Sequence, residues 1–178
     1  MKNGTKVLIG SGVVVVLILI WFFGTRNSLV SLKEEVEMQQ SQIETTLQRR
    51  SDLIPNLLAT VKGYANHEEK VFTEIAEARS KLAGSIKSGD MKSISEANDT
   101  LDSALSRLLA ISENYPDLKA SEQFIALQDE LAGTENRISV ARQHYNEKVN
   151  TYNTEVQKFP TSIVAGMSGY YPLQYFEA

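Results

Sequence analysis

Cysteine is absent from this 178-residue chain. Its absence excludes disulfides, zinc–thiolate sites, lipoprotein processing and palmitoylation, and leaves the redox compartment open. Histidine is scarce, with only His67 and His144. His67-Glu68 matches the start of H-E-x-x-H, but Val71 stands where the second histidine would be, so that zinc motif is missing. A di-iron E-x-x-H pair fails too: Glu69 leads to Phe72, Glu135 leads to Ile138, and Ala141 stands three before His144. Both histidines read as solvated, and neither a metal nor another cofactor is expected. No G-x-S-x-G, P-loop or G-x-G-x-x-G motif occurs. Asp52, Glu68, Glu130 and Glu135 are acids without a spacing that demands acid–base work, so the chain does not read as an enzyme. The formal net charge is −4 and no block of like charge stands out, which argues against nucleic acid as a partner. No stretch sustains period-two alternation, so no sheet is expected.

What is present begins with the apolar run Val7–Phe23. The uncharged stretch between Lys6 and Arg26 holds 19 residues. As a helix it spans about 28 Å, close to the hydrocarbon thickness of a bilayer. A cleaved signal peptide is the competing reading, since Lys2 and Lys6 form a plausible n-region. The run is longer than most h-regions, however. It also ends in Trp21-Phe22-Phe23, which suits a membrane–water interface and not a small-residue cleavage site. An uncleaved anchor is therefore expected. Lys2 and Lys6 before the span balance Arg26 and Lys33 after it, so charge favours neither orientation. Gly10-Ser11-Gly12 could let two anchors pack closely, though less specifically than G-x-x-x-G.

Beyond the span the apolar rhythm is helical. Val36, Ile43, Leu47, Ile54, Leu57, Val61, Tyr64, Val71, Ile75, Ala78 and Leu82 fall on one stripe, interrupted by Gln40, Arg50 and Glu68. A second stripe holds Ile94, Ala97, Leu101, Ala104, Leu108 and Ile111. A third runs from Phe124, Leu127 and Leu131 through Ile138, Ala141, Tyr145, Val149, Tyr152 and Val156 to Phe159. Breaks are expected at Gly84–Asp90, with Gly89 as the stop and Asp90 as N-cap, at Asn114–Asp117, and at Phe159-Pro160. The first stripe could break at Pro55, with Asp52 as cap, or at 63–66, with Asn66 as cap and Glu69 at N3. The second choice gives helices of about 38, 20, 23 and 41 residues, which pair as two long and two short partners. Pro55 is therefore expected to kink a continuing helix.

The fold expected is all-α: a transmembrane helix followed by an antiparallel four-helix bundle. Residues 1–6 form a short polar N-terminus, 7–25 the anchor, 29–159 the bundle and 160–178 an apolar, aromatic tail. Facing residues on the two long helices should sum to about 187. That register predicts an inward ion cluster of Arg49 or Arg50, Asp52, Glu135 and Arg137, because an unpaired buried charge is very costly. A second polar group, Asn136, Arg142, Tyr145, Asn146, Tyr152 and Asn153, is richer than a solvated face needs. It reads as helix-to-helix hydrogen bonding or as a docking surface. Tyr170, Tyr171, Tyr175 and Phe176 of the tail need cover from the bundle, the bilayer or another subunit.

Three stretches carry a family resemblance. Gln48–Glu68 reads QRRSDLIPNLLATVKGYANHE, Glu113–Leu131 reads ENYPDLKASEQFIALQDEL, and 132–166 reads AGTENRISVARQHYNEKVNTYNTEVQKFPTSIVAG. With an N-terminal anchor these resemble the LemA family of bacterial membrane proteins, over about residues 27–166. Gln40 departs from the pattern, standing where many relatives carry Trp. The resemblance implies a helical bundle on one membrane helix and little chemistry, since the family's molecular role is undefined. The expected function is a membrane-anchored scaffold or adaptor in the bacterial cell membrane. Its partners would be the lipid bilayer through 7–25 and a second copy or another membrane protein. The alternative is a ligand sensor or enzyme with a site inside the bundle.

Overall fold

The computed structural model describes residues 2–65 and 67–177, with the side chains of 2–5 and 7 outside that description. Among the described residues the chain is all helix and loop, without strand. Six helices follow in order: α1 (Lys2–Lys62), α2 (Glu69–Ser88), α3 (Met91–Ser112), α4 (Pro116–Lys119), α5 (Glu122–Gln157) and α6 (Thr161–Ser168). The expected Asn66 cap lies outside the described residues.

α1 runs 61 residues without interruption, so the boundary expected between 25 and 29 is no break in the helix. It also continues through Pro55. A helical proline cannot donate to the carbonyl four residues back, which orphans the Ser51 carbonyl. Arg79 of α2 fills the vacancy, its Nε donating to Ser51 O at 2.9 Å. The helix therefore survives its proline because a neighbouring helix satisfies the freed acceptor.

α2 ends at the expected glycine stop, though the turn begins later than Gly84. Gly84 stays inside the helix, and the stop comes at Gly89 (φ 69°), whose amide reaches back to Ser85 O and Ile86 O. Asp90 then caps α3, its carboxylate accepting from the Ser93 amide at 2.9 Å. The two Ser93 hydrogen bonds, side chain first, hold the Asp90 carboxyl below its ordinary value of 3.8. A lowered folded-state pKa stabilises the fold above the unfolded value and is lost as pH falls through the folded one. The stability gap between the native chain and Asp90→Ala should thus stay constant at neutral pH and close below about pH 3.8. Urea titrations at pH 7 and pH 3 check this; an unchanged gap at pH 3 would remove the ionised cap.

Two compact units divide the chain: Met1–Glu37 with Glu147–Leu173, and Met38–Asn146 with Gln174–Ala178. In the first, Leu29, Val36, Val149, Tyr152, Val156, Val164 and Ala165 are buried. In the second, α1 from residue 38, α2, α3 and α5 to residue 146 all supply buried apolar side chains. These include Leu47, Ile54, Leu57, Ile75, Leu82, Ile94, Leu101 and Phe124. All three stripes are buried apart from a few members. Tyr64 and Phe159 are exposed because each lies beyond its helix end. Leu127, Leu131 and Ile111 are half-buried.

Candidate functional site

The second unit holds a buried charge layer around Arg50, which is 5% exposed. Its guanidinium pairs with Asp102 of α3, lies 3.0 Å from Glu135 Oε2 of α5, and donates to Asn98 Oδ1 at 3.1 Å. The Glu135 contact is an ion pair without hydrogen-bond geometry, and Arg50 Nε finds no acceptor among the described residues. Asn98 also donates to Asp102 at 2.9 Å, which orients that carboxylate. One arginine thus ties three helices.

The expected cluster is regrouped. Arg50 and Glu135 meet, but Asp52 turns away and accepts from Gln48 four residues earlier, at 2.8 Å. Position 52 lies two residues from Arg50, so the two point to different sides of the helix. Arg49 pairs instead with Glu130 at 2.7 Å, and Arg137 approaches the same Glu130 oxygen at 3.8 Å, both at the surface. Asp102 and Asn98 were missed. They lie off the second stripe's strict apolar positions, and no residue count alone pairs α3 with Arg50.

Beside this layer is an open groove of about 530 Å³. Arg50, Asp102, Asp129 and Glu135 line its polar side, and Leu57, Leu105, Leu109 and Leu131 its apolar side. Three carboxylates against one guanidinium make it acidic. No group of three or more potential metal ligands occurs among the described residues.

A second constellation lies in the same unit. Asn146 clamps the backbone of Phe176, accepting from its amide at 2.8 Å and donating to its carbonyl at 3.0 Å. Tyr145 donates to the Gln174 carbonyl at 3.0 Å, and burial pushes its phenol up to about 12. Arg142 stacks 5.0 Å over the Phe176 ring, and the Ser95 hydroxyl donates to the Glu177 carbonyl. Phe176 is consequently 2% exposed. In the first unit, Asn153 repeats the clamp on Leu173, accepting from its amide at 2.7 Å and donating to its carbonyl at 2.9 Å. There Tyr152 is buried, and its phenol is raised by that burial and then by Tyr170.

These contacts revise the expected docking surface. Tyr145, Tyr152, Asn153 and Phe176 are buried, and Tyr145 and Asn153 are bonded to the chain's own backbone. Asn136, Tyr171 and Tyr175 are exposed, and Arg142, Asn146 and Tyr170 are half-buried. Neither docking nor helix-to-helix bonding had accounted for Asn146 and Asn153 as clamps on the backbone of Phe176 and of Leu173.

The three polar interruptions of the first stripe share one property. Gln40 donates to the Gly89 carbonyl at 3.1 Å, Arg50 holds the charge layer, and Glu68 accepts from the Tyr115 hydroxyl at 3.2 Å. Each ties its helix or loop to a distant element, so the break in the pattern was the signal. His67 and His144 are both exposed.

Comparison with known proteins agrees with the sequence signature. The pattern of the LemA family matches residues 39–178. Magnetosome protein MamQ 2 of Paramagnetospirillum magneticum is 27% identical over 176 residues, covering 85% of this chain and 64% of that protein. Magnetosome protein MamQ of Magnetospirillum gryphiswaldense is 26% identical over 173 residues, covering 84% and 64%. The chain thus spans less than two thirds of the length of these relatives. Protein LemA of Metamycoplasma hominis is 28% identical over 157 residues, covering 88% of this chain and 71% of that one.

Proposed function

The chain belongs to the LemA family, and from that premise we propose that it is a non-enzymatic, single-pass membrane scaffold that assembles with further copies or with another membrane protein. The observation that carries this reading is the start of α1. Its apolar window is wholly unburied, from Leu8 (73% exposed) to Phe23 (56%), and lies in a helix that extends to Lys62. Such a helix is long and apolar enough to cross a bilayer. The second unit is read as an antiparallel four-helix bundle of two long and two short helices. Support comes from the ties of α1 to α2 through Arg79, and to α3 and α5 through Arg50. A helical unit whose own chain carries such an anchor is kept at the membrane, which is what a scaffold requires.

Membrane extraction followed by size measurement in detergent tests this. The expected result is resistance to alkaline carbonate and a mass of more than one copy, or a stoichiometric protein partner. Release by carbonate would sink the anchor, and a clean monomer without partner would sink the scaffold.

A second reading is favoured by the acidic groove and the unpaired Arg50 Nε: a small polar ligand held beside the charge layer. Native mass spectrometry of the extracted protein should then find a bound non-protein mass that Ala132→Trp, on the groove wall, removes. Protein free of such a mass would dismiss it.

A further inference from the structure

The first unit carries an apolar face that none of the described residues covers. Phe159, Ile163, Met167 and Tyr171 recur every four residues along α6 and its flanks and are 77, 51, 73 and 68% exposed. The opposite face of the same helix, Val164 and Ala165, is buried. No charged residue occurs from Phe159 to Leu173. Gly169 (φ 74°) ends α6, the Tyr170 amide closing on Ala165 O at 2.9 Å, which leaves Tyr171 beyond the stop.

The register of this unit sets the height of that face. Lys148 Nζ meets Glu35 Oε2 at 2.7 Å. Val149, Tyr152 and Val156 follow Lys148, while buried Leu29 precedes Glu35. The unit takes α1 only up to Glu37 and α5 only from Glu147 on, so from the Lys148–Glu35 pair the two segments run antiparallel. Gln157, nine residues beyond Lys148, then falls level with Arg26, nine residues before Glu35. Arg26 is the first charge after the apolar run, and Trp21, Phe22 and Phe23 lie within roughly 8 Å of it along the axis. Thus α6 starts where the membrane segment ends.

We infer that the exposed face of α6, Phe159, Ile163, Met167 and Tyr171, lies in the headgroup–acyl boundary of the bilayer that α1 crosses, as a second, interfacial membrane contact. The inference rests on the anchor reading above and adds a lipid surface as the occupant of this face. A short helix with one apolar side, aromatic ends and no charge fits that boundary. The four side chains present on the order of 500 Å², short of the roughly 800 Å² per partner of a stable protein interface. With two contacts the unit would hold a fixed tilt to the membrane where a lone helix swivels.

The absence of native cysteine gives a direct test. Single nitroxide labels are placed in the full chain, in phosphatidylcholine–phosphatidylglycerol vesicles, through Ile18→Cys, Met167→Cys and, as an aqueous reference, Lys92→Cys. Collision with oxygen reports lipid, and collision with a water-soluble nickel chelate reports water. The Met167 label should show an oxygen-to-nickel ratio several-fold above the Lys92 label and below the Ile18 label. A lipid-like Ile18 label with a water-like Met167 label overturns the inference and leaves the anchor intact. Water-like values at both positions overturn the anchor and this inference together. A Met167 label poorly accessible to both reagents would mean a protein covers the face, and this too overturns the inference.

Discussion

Arg50→Ala should destabilise the protein by about 3 kcal/mol, near the lower end for breaking a buried ion pair, and lower Tm by roughly 6–12 °C. The guanidinium is buried, while its partners Asp102 and Glu135 keep 35% and 46% of their side chains exposed. The orphaned carboxylates would retain water on one side, which places the cost near the lower end. Arg50→Met with Asp102→Leu and Glu135→Leu removes both signs of charge and should recover most of the loss, since a buried pair barely outweighs its own desolvation. Thermal unfolding of the detergent-solubilised chain by circular dichroism decides. A single-mutant loss under about 1 kcal/mol would be the value of a surface pair and would mean the layer is solvated.

Phe176→Ala is the second large effect, with about 3 kcal/mol of local stability lost at residues 174–177. The ring is buried, stacks under Arg142, and has its backbone held from both sides by Asn146. Asn146→Ala removes both clamp bonds and should cost about 2 kcal/mol, because the freed segment can satisfy itself in water. Asn146→Asp keeps the acceptor for the Phe176 amide, loses the donor to its carbonyl, and should fall between. Hydrogen exchange at the Phe176 amide measures all three. Native-like protection in Asn146→Ala would show that the ring, and not the clamp, holds the segment.

These two sites differ in how far the amino-acid pattern reaches. Arg50 was visible as a charge inside an apolar stripe, and burial of a charge demands a partner. Glu135 followed from counting along two antiparallel helices. Asp102 did not, because the angular position of α3 around α1 is set by side-chain packing and not by helix length. Asp52 failed for the converse reason: adjacency in sequence is not adjacency on a helix face. The clamps were less visible still. Asn146 and Asn153 looked like a polar surface because the segment they hold comes back from a stretch without periodicity.

From residue order alone come the uncharged span at 7–25, the helical period of the three stripes, the cap at Asp90 and the family signature at 48–68, 113–131 and 132–166. All of these depend on contacts a few residues apart or on composition, which local chemistry dictates. Tertiary structure alone decided that Arg79 would rescue the Ser51 carbonyl freed by Pro55, that Asp102 would complete the charge layer, and that Phe176 would be buried under Arg142. Each joins residues at least 28 apart in the chain. Their meeting depends on how helices rotate and pack against one another, a choice made by the whole core and not by any one segment.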